Sequence, residues 1–154
     1  MIRGPETART GFTLIELILT VALLAILVSI VIPRIGWGTM GKVQSETAAQ
    51  EFSNYLKLAR SLAITHACSN SVGYKVVLSA SKPYTYTLIN ADTSEVVKGP
   101  IAIPEGVDRS GDRIYQFTPL GNLSVSSELS VQFSKSGDTT VVMVTPVGRI
   151  TVTE

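Results

Sequence analysis

The fold is decided by residues 12–33, which read FTLIELILTVALLAILVSIVIP and are apolar except at Thr13, Glu16, Thr20 and Ser29. A helix of about 21 residues spans roughly 30 Å, the thickness of the hydrocarbon core of a bilayer. The remaining chain is too short to bury such a helix on all sides. We therefore predict a transmembrane segment at residues 12–33 instead of a core helix.

The flanks of this segment separate three kinds of membrane segment: a cleaved secretory signal, a simple signal anchor, and a segment that later assembles with its neighbours. The apolar run exceeds the about 7–15 residues of a secretory signal, and Pro33 follows it without an Ala-x-Ala cleavage site. Arg3 and Arg9 precede it, so the positive-inside rule places the N-terminus in the cytoplasm and the rest of the chain across the membrane. The secretory signal is therefore disfavoured.

Glu16 is the residue that a simple anchor does not explain. A carboxylate in an apolar membrane segment costs up to about 2.5–3.5 kcal/mol and by default marks a functional site. Cleavage just before Phe12 would create an α-amino group four residues away, about 6 Å along a helix. In an array of parallel helices, we expect this amine of one subunit to meet Glu16 of the next and to fix the register between neighbours.

The stretch GFTLIEL (residues 11–17) lies between a short charged leader and the apolar run that ends at Pro33, and it closely resembles the prepilin signature of type IV pilins and type II secretion pseudopilins. The resemblance implies that residues 1–11 are a leader peptide. An inner-membrane prepilin peptidase would cut between Gly11 and Phe12 and methylate the new Phe12 amine. The resemblance also makes Glu16, the fifth mature residue, the assembly carboxylate.

After Pro33 the sequence changes character twice. Pro33 and the glycines of residues 34–41 predict a Gly-rich helix kink, in which Trp37 either anchors at the membrane interface or packs under the head. Residues 42–67 carry apolar side chains at helical spacing, which predicts an amphipathic helix packed on a sheet. This stripe consists of Phe52, Tyr55, Leu56, Ala59, Leu62 and Ala63.

Residues 71–153 are rich in β-branched and aromatic side chains between Gly- and Pro-containing turns, which predicts strands and a C-terminal antiparallel meander. The predicted strands are 71–79, 84–90, 113–117, 129–134, 139–145 and 149–153, with a short strand near 95–98 inside a loop-rich stretch at 91–112. The predicted fold class is therefore α+β and, by the resemblance, pilin-like. In the predicted arrangement, the hydrophobic half of a long N-terminal helix is transmembrane, and the helix packs on a C-terminal antiparallel β-sheet head. The head comprises residues 42–154 and includes the amphipathic helix.

Three segments resemble the GspH/FimT family of minor pseudopilins and minor pilins: residues 55–68 (YLKLARSLAITHAC), 115–124 (YQFTPLGNLS) and 144–152 (VTPVGRITV). The resemblance implies a structural subunit near the tip of a type II secretion pseudopilus or type IV pilus, aiding pseudopilus assembly and protein secretion. Its implied partners are other minor and major subunits and a secreted substrate. The implied location is the bacterial inner membrane, single-pass, with the head in the periplasm until the subunit enters a periplasm-spanning filament.

The sequence predicts no catalytic site, no metal site and no cofactor. His66 and Cys68 are the only histidine and cysteine, so an internal disulfide is impossible and tetrahedral zinc lacks a second ligand cluster. Nucleophile-elbow, phosphate-loop and dinucleotide motifs are absent from the sequence. We therefore predict that the protein is not an enzyme.

Two alternative functions remain: a FimT-like minor pilin that binds DNA for uptake, and an anchored exported module that binds another ligand. DNA binding relies on clustered Lys and Arg, whereas the formal net charge here is only +1. The C-terminal segment offers Arg149 alone. Arg109 and Arg113 adjoin Asp108 and Asp112 in the sequence, so we expect their charge to be offset and DNA binding to be disfavoured.

Overall fold

A computed structural model describes the backbone of residues 13–31 and 37–154 and the side chains of residues 13–29 and 41–154. The chain divides into two compact units, Met1–Trp37 and Gly38–Glu154. The described helices are α1 (Leu14–Val31) and α2 (Trp37–Thr65). The described strands are β1 (Tyr74–Leu78), β2 (Thr85–Asn90), β3 (Val96–Ala102), β4 (Asp108–Gly111), β5 (Ile114–Phe117), β6 (Leu129–Lys135), β7 (Asp138–Val144) and β8 (Ile150–Thr153).

Helix α1 exposes every side chain that is described in it, including its leucines, isoleucines and valines. The hydroxyls of Thr20 and Ser29 donate to the carbonyls of Leu17 and Ile26, at 2.9 and 2.7 Å. Neither hydroxyl is therefore left without a partner in apolar surroundings. Within the described ranges, no helix has the length and hydropathy of a membrane span. The predicted segment 12–33 extends past the described residues at both ends, and its membrane crossing stays a prediction.

Helix α2 begins at Trp37, earlier than the predicted start at residue 42, so Gly38 and Gly41 lie within a helix instead of a kink. A Cβ atom at Gly41 would come within 2.9 Å of the Ser136 Cβ and 3.1 Å of the Lys135 carbonyl. Glycine at this position therefore permits close approach of the helix to the β6–β7 turn. Pro33 and the first part of the predicted kink lie outside the described residues, and so does the Trp37 side chain.

The head contains two four-stranded sheets in place of the single predicted sheet. Their strand orders are β3-β2-β1-β5 and β4-β6-β7-β8, and every described pairing is antiparallel. The chain crosses from one sheet to the other at Asp112 and Arg113, because the Asp112 amide bonds to Ser130 and the Arg113 carbonyl bonds to Leu78. The predicted C-terminal meander is confirmed as β6-β7-β8.

Two strands differ from the sequence-based expectation. Strand β3 runs through Gly99 and Pro100, beyond the short strand predicted near 95–98; it lies at a sheet edge, where proline is tolerated. Strand β4 (DRSG) was not predicted because it lacks an apolar residue. Its pairing with β6 holds it in place.

Phe52 is the centre of the core of the head. It is 0% exposed, and its ring meets the rings of Tyr86, Tyr115 and Phe133 at centroid distances of 5.5, 5.5 and 5.6 Å in edge-to-face geometry. The first two rings belong to one sheet and Phe133 to the other, so Phe52 joins both sheets beneath α2. The rest of the predicted stripe is also buried, except Leu62, which is partly buried.

Tyr115 introduces a polar atom into this core. Its side chain is fully buried, and its hydroxyl has no hydrogen-bond partner among the described residues. Burial raises the pKa of the Tyr115 phenol, and the charge of Asp112 adds to the effect. An unpaired buried hydroxyl costs about 1–3 kcal/mol.

Tyr115→Phe is therefore expected to raise the free energy of unfolding by about 1 kcal/mol, because it removes the unpaired hydroxyl and keeps the ring. Urea denaturation of the full chain in detergent, followed by circular dichroism, measures the change. Tyr74→Phe is the matched control, since the Tyr74 hydroxyl lies 3.3 Å from the His66 Nδ1 and its loss should not stabilise the fold. A less stable Tyr115→Phe variant would contradict the prediction.

Candidate assembly site and interaction surface

The first turn of α1 contains the predicted assembly carboxylate. The Glu16 amide donates to Thr13 Oγ1 at 3.3 Å and to the Thr13 carbonyl at 3.1 Å. Thr13 thus caps the helix, and Glu16 occupies the third helical position of the T-x-x-E sequence that is typical of a capping box. The helix N-terminus carries partial positive charge, which favours a carboxylate there. This pattern was readable in the sequence and was missed.

The other residues of the predicted assembly site are not placed by the structure. Gly11 and Phe12 lie outside the described residues, as does Pro33 of the predicted helix kink. Cleavage between Gly11 and Phe12, methylation of Phe12 and pairing of its amine with Glu16 therefore stay predictions. Within the described part, Glu16 is exposed together with the apolar side chains around it.

Two turns of the head share the pattern Thr-Pro-x-Gly: residues 118–121 (TPLG) and residues 145–148 (TPVG). In each turn the glycine amide donates to the threonine carbonyl at 2.8 Å. Proline presets the backbone angle at the second position of such a turn. In both cases the threonine amide also bonds to the carbonyl of the residue after the glycine, at 2.8 and 2.9 Å, so the two turns have the same hydrogen-bond pattern.

Arg60 holds the first turn on α2, and the two turns touch each other. The Arg60 Nε donates to the Gly121 carbonyl at 2.9 Å, and the Leu123 amide donates to the Pro146 carbonyl at 2.9 Å. A Cβ atom at Gly148 would collide with the Gly121 carbonyl and approach the Arg60 Nε to 2.9 Å. Only glycine fits at this contact, so α2 and both turns form one fixed unit.

This unit exposes apolar side chains beside cations. Leu120 is 82% exposed, Val147 66% and Ile64 49%. Next to them, Lys57, Arg60 and Arg149 line a groove of about 540 Å³ together with Val147, Gly148 and Ile150. The three cations take part in none of the ion pairs found in the described part of the chain. We call this surface the basic turn platform: Lys57, Arg60, Ile64, Leu120, Val147 and Arg149.

The sequence had suggested Arg149 as an isolated cation in the C-terminal segment, and the structure corrects this. Lys57 and Arg60 lie close to Arg149, because residues 145–148 pack against the C-terminal half of α2. No local pattern in the sequence indicates this contact, since almost ninety residues separate Arg60 from Arg149.

The expected charge offset at Arg109 and Arg113 is not seen: among the described residues, neither arginine forms an ion pair with Asp108 or Asp112. Asp108 forms its ion pair with Lys82, and the Asp112 carboxylate accepts the Ser130 amide at 2.8 Å. The Arg109 Nη2 donates to the Ser79 carbonyl at 2.8 Å. The hydrogen bond and charge of Asp108 raise the pKa of Lys82. The bonds of Asp108, Arg109 and Asp112 therefore link neighbouring segments of the head.

The C-terminal residue is linked to the first part of α2. Lys42 Nζ lies 2.7 Å from Glu154 Oε2 and 3.4 Å from Glu46 Oε1. The hydrogen bond and charge of Lys42 lower the pKa of Glu154. All three side chains are solvent-exposed or nearly so, and screening by water makes such pairs weak contributors to stability.

The residues described here include no group of three or more His, Cys, Asp or Glu side chains placed to hold a metal ion. His66 Nδ1 lies 3.1 Å from the Leu62 carbonyl and 3.3 Å from the Tyr74 hydroxyl. Cys68 is exposed and has no disulfide. The exposed His66 side chain therefore links the end of α2 to Tyr74 in β1.

Three comparisons with known proteins show what this chain is similar to. Residues 7–32 match the prokaryotic N-terminal methylation motif. The structure is similar to two crystal structures of the type IV minor pilin FimU of Pseudomonas aeruginosa strain PAO1. One has a TM-score of 0.55 and 15% identity, covering 71% of this chain and 88% of that chain. The other has a TM-score of 0.56 and 17% identity, covering 71% and 92%. The comparison with curated protein sequences gave no match.

These findings confirm the predicted pilin-like motif and α+β fold. At 15–17% identity the structural similarity shows the fold alone, and the motif adds the N-terminal processing signal of prokaryotic pilins. A methylation motif on a pilin-like fold indicates a structural subunit, not an enzyme, as predicted. It also implies processing by a prepilin peptidase and assembly with other pilins.

Proposed function

We propose that this chain, which carries the N-terminal methylation motif of prokaryotic pilins on a minor pilin-like fold, is a filament subunit near the tip of a type II secretion pseudopilus or a type IV pilus. Its sequence resembles the GspH/FimT family in three segments of the head. In this role it aids assembly of the filament and, in a secretion system, protein secretion. Its mechanism is assembly without catalytic turnover.

The main support for this proposal is the exposed apolar surface of helix α1. All its described side chains are exposed, and nearly all are apolar. Burying one large aliphatic side chain contributes about 1.5–3 kcal/mol, so a helix that is apolar on every side is stable only in apolar surroundings. A bilayer provides them before assembly, and neighbouring subunits' helices provide them in a filament. The proposed location is therefore the inner membrane with a periplasmic head, followed by a periplasm-spanning filament.

Glu16 gives this helix a defined register. After cleavage between Gly11 and Phe12, Thr13 becomes the second residue of the mature chain, so its capping bonds to Glu16 are retained. The methylated Phe12 amine of one subunit then pairs with Glu16 of its neighbour. An amine and a carboxylate that pair in an apolar filament core reduce the cost of burying both charges.

Mass spectrometry of the protein from its native membrane tests this proposal. We expect a chain that begins at N-methylated Phe12. Gly11→Leu should keep the Met1 start because a side chain at the cleavage position blocks the peptidase, whereas the matched control Thr10→Ala should be processed normally. An intact Met1 start in cells with an active prepilin peptidase would contradict the proposal.

A further inference from the structure

The turn between β2 and β3 has chemistry opposite to that of the basic turn platform. It presents the exposed residues Asp92, Glu95, Val96 and Val97, with the two valines 55% and 46% exposed. Asn90 fixes the turn, since its side-chain Oδ1 accepts the Asp92 amide at 3.0 Å and its own amide donates to the Glu95 carbonyl at 2.9 Å. We call these four exposed residues the acidic hairpin.

Strand β3 differs from its neighbours in leaving apolar residues uncovered on both faces. Strands β1, β2 and β5 alternate between buried and more exposed positions. In β3 every residue is exposed except Ile101, which is half-buried. Asp92 and Glu95 also take part in none of the ion pairs of the described residues. Exposed apolar residues that lie together mark interaction sites, and charges without partners in their own chain are available to complementary charges of a partner.

The acidic hairpin and the basic turn platform lie on opposite flanks of the head. The Tyr55 ring faces β2 and β3, because it lies 4.9 Å from the Tyr86 ring and 5.2 Å from the Lys98 Nζ. Lys57 and Ile64 lie roughly 160° and 180° around the helix from Tyr55. Within the first sheet, β3 is one edge strand and β5, which leads to residues 118–121, is the other. The two surfaces therefore cannot meet within one copy.

We propose that the acidic hairpin of one copy docks on the basic turn platform of a second copy, head to tail. Two carboxylates meet three cations, and Val96 and Val97 cover part of the apolar surface formed by Ile64, Leu120 and Val147. Such a contact joins different patches on the two partners, so it leaves a free patch at each end and continues from copy to copy. The inference does not depend on cleavage at Gly11 or on Glu16.

A second copy fits the platform better than nucleic acid does. Proteins that bind single strands stack bases on aromatic rings, and the six platform residues include none. Three cations in one groove beside exposed aliphatic side chains favour an acidic protein segment with apolar residues. The acidic hairpin has this composition.

Pairwise cysteine crosslinking of the full chain in detergent tests the contact. Val97→Cys and Val147→Cys are introduced into separate copies, each with Cys68→Ser, and the two purified proteins are mixed and mildly oxidised. We expect a disulfide dimer between the two variants. A mixture of Val97→Cys with Val43→Cys is the matched control, since Val43 is also exposed but lies about 21 Å before Lys57 along α2, and it should crosslink about tenfold less.

Charge reversal supplies the second test. Lys57→Glu together with Arg149→Glu on the Val147→Cys copy should lower the dimer yield about tenfold, because like charges would face each other. Asp92→Lys together with Glu95→Lys on the Val97→Cys copy should restore it. Arg60 is left unchanged because it holds the turn at Gly121.

Equal crosslinking in the matched control, or a yield insensitive to charge reversal, would overturn the head-to-tail contact. A shift of duplex DNA at about 150 mM salt that Lys57→Glu and Arg149→Glu abolish would also overturn it, since a phosphate backbone would then be the partner of the platform. Neither test changes a residue of the leader or of α1. The outcome of each test is therefore independent of the proposed processing.

Discussion

Phe52→Ala is expected to lower the free energy of unfolding by about 3–5 kcal/mol, the usual cost of removing a fully buried aromatic side chain. Phe52 contacts Tyr86 and Tyr115 in one sheet and Phe133 in the other. Its removal would therefore leave a cavity at the point where α2 joins both sheets. A typical domain is stable by only about 5–15 kcal/mol, so the variant should be close to unfolding at growth temperature.

Urea denaturation of the full chain in detergent measures this loss. Val125→Ala is the control because Val125 is exposed, and surface substitutions usually change stability by less than about 0.5 kcal/mol. Phe52→Leu should lose less than Phe52→Ala, since it keeps most of the buried volume. A loss below about 1 kcal/mol for Phe52→Ala would show that the two sheets are held together independently of this ring.

The role of Phe52 as a core residue could be predicted from the sequence, but its connection of two sheets could not. The helical period places Phe52, Leu56, Ala59 and Ala63 on one face of α2, and that face is buried. Periodicity reports only that a face is apolar. Which sheet it contacts depends on strand pairing far along the chain. The crossing at Asp112 and Arg113 follows the sequence Ser-Gly-Asp at residues 110–112, which also occurs in the β6–β7 turn at residues 136–138 and therefore does not distinguish a change of sheet from a hairpin.

The two candidate sites also differ in how much of each can be predicted from the sequence. The assembly segment is local in sequence, so the methylation motif, the apolar run and the T-x-x-E cap can all be read directly from residues 7–32. The basic turn platform is made by tertiary contacts. Arg60 reaches a carbonyl 61 residues away at Gly121, and two separate turns complete the surface. A single sequence shows the two Thr-Pro-x-Gly patterns without showing that they touch.

Glu16→Val is expected to leave membrane insertion unchanged or improved and to reduce incorporation into the filament by about 100-fold or more. Breaking a buried ion pair by removing one partner costs about 3–5 kcal/mol, and each 1.4 kcal/mol is about tenfold in an equilibrium constant. In the proposed filament, the variant would leave the Phe12 amine of the neighbouring subunit buried without its carboxylate. Quantitative immunoblotting of sheared filaments and of membranes measures the two quantities separately.

Thr20→Val is the matched control, because it also removes a polar group from α1. The Thr20 hydroxyl bonds to Leu17 within its own helix, so its loss should leave incorporation unchanged. Glu16→Asp keeps the charge and should incorporate better than Glu16→Val, whereas Glu16→Gln keeps the shape without the charge and should fail like Glu16→Val. Normal incorporation of Glu16→Val would contradict the pairing.

Glu16 is unfavourable for membrane insertion but favourable for incorporation into the filament. This difference explains why the helix contains a carboxylate. In the bilayer Glu16 costs up to about 2.5–3.5 kcal/mol, so a helix that served only as an anchor would be better without it. Capping by Thr13 places Glu16 in the first turn of α1, near the end of the apolar run, where this cost is smallest. The carboxylate is then favourable only after assembly, when a second subunit supplies the cation that the described part of α1 lacks.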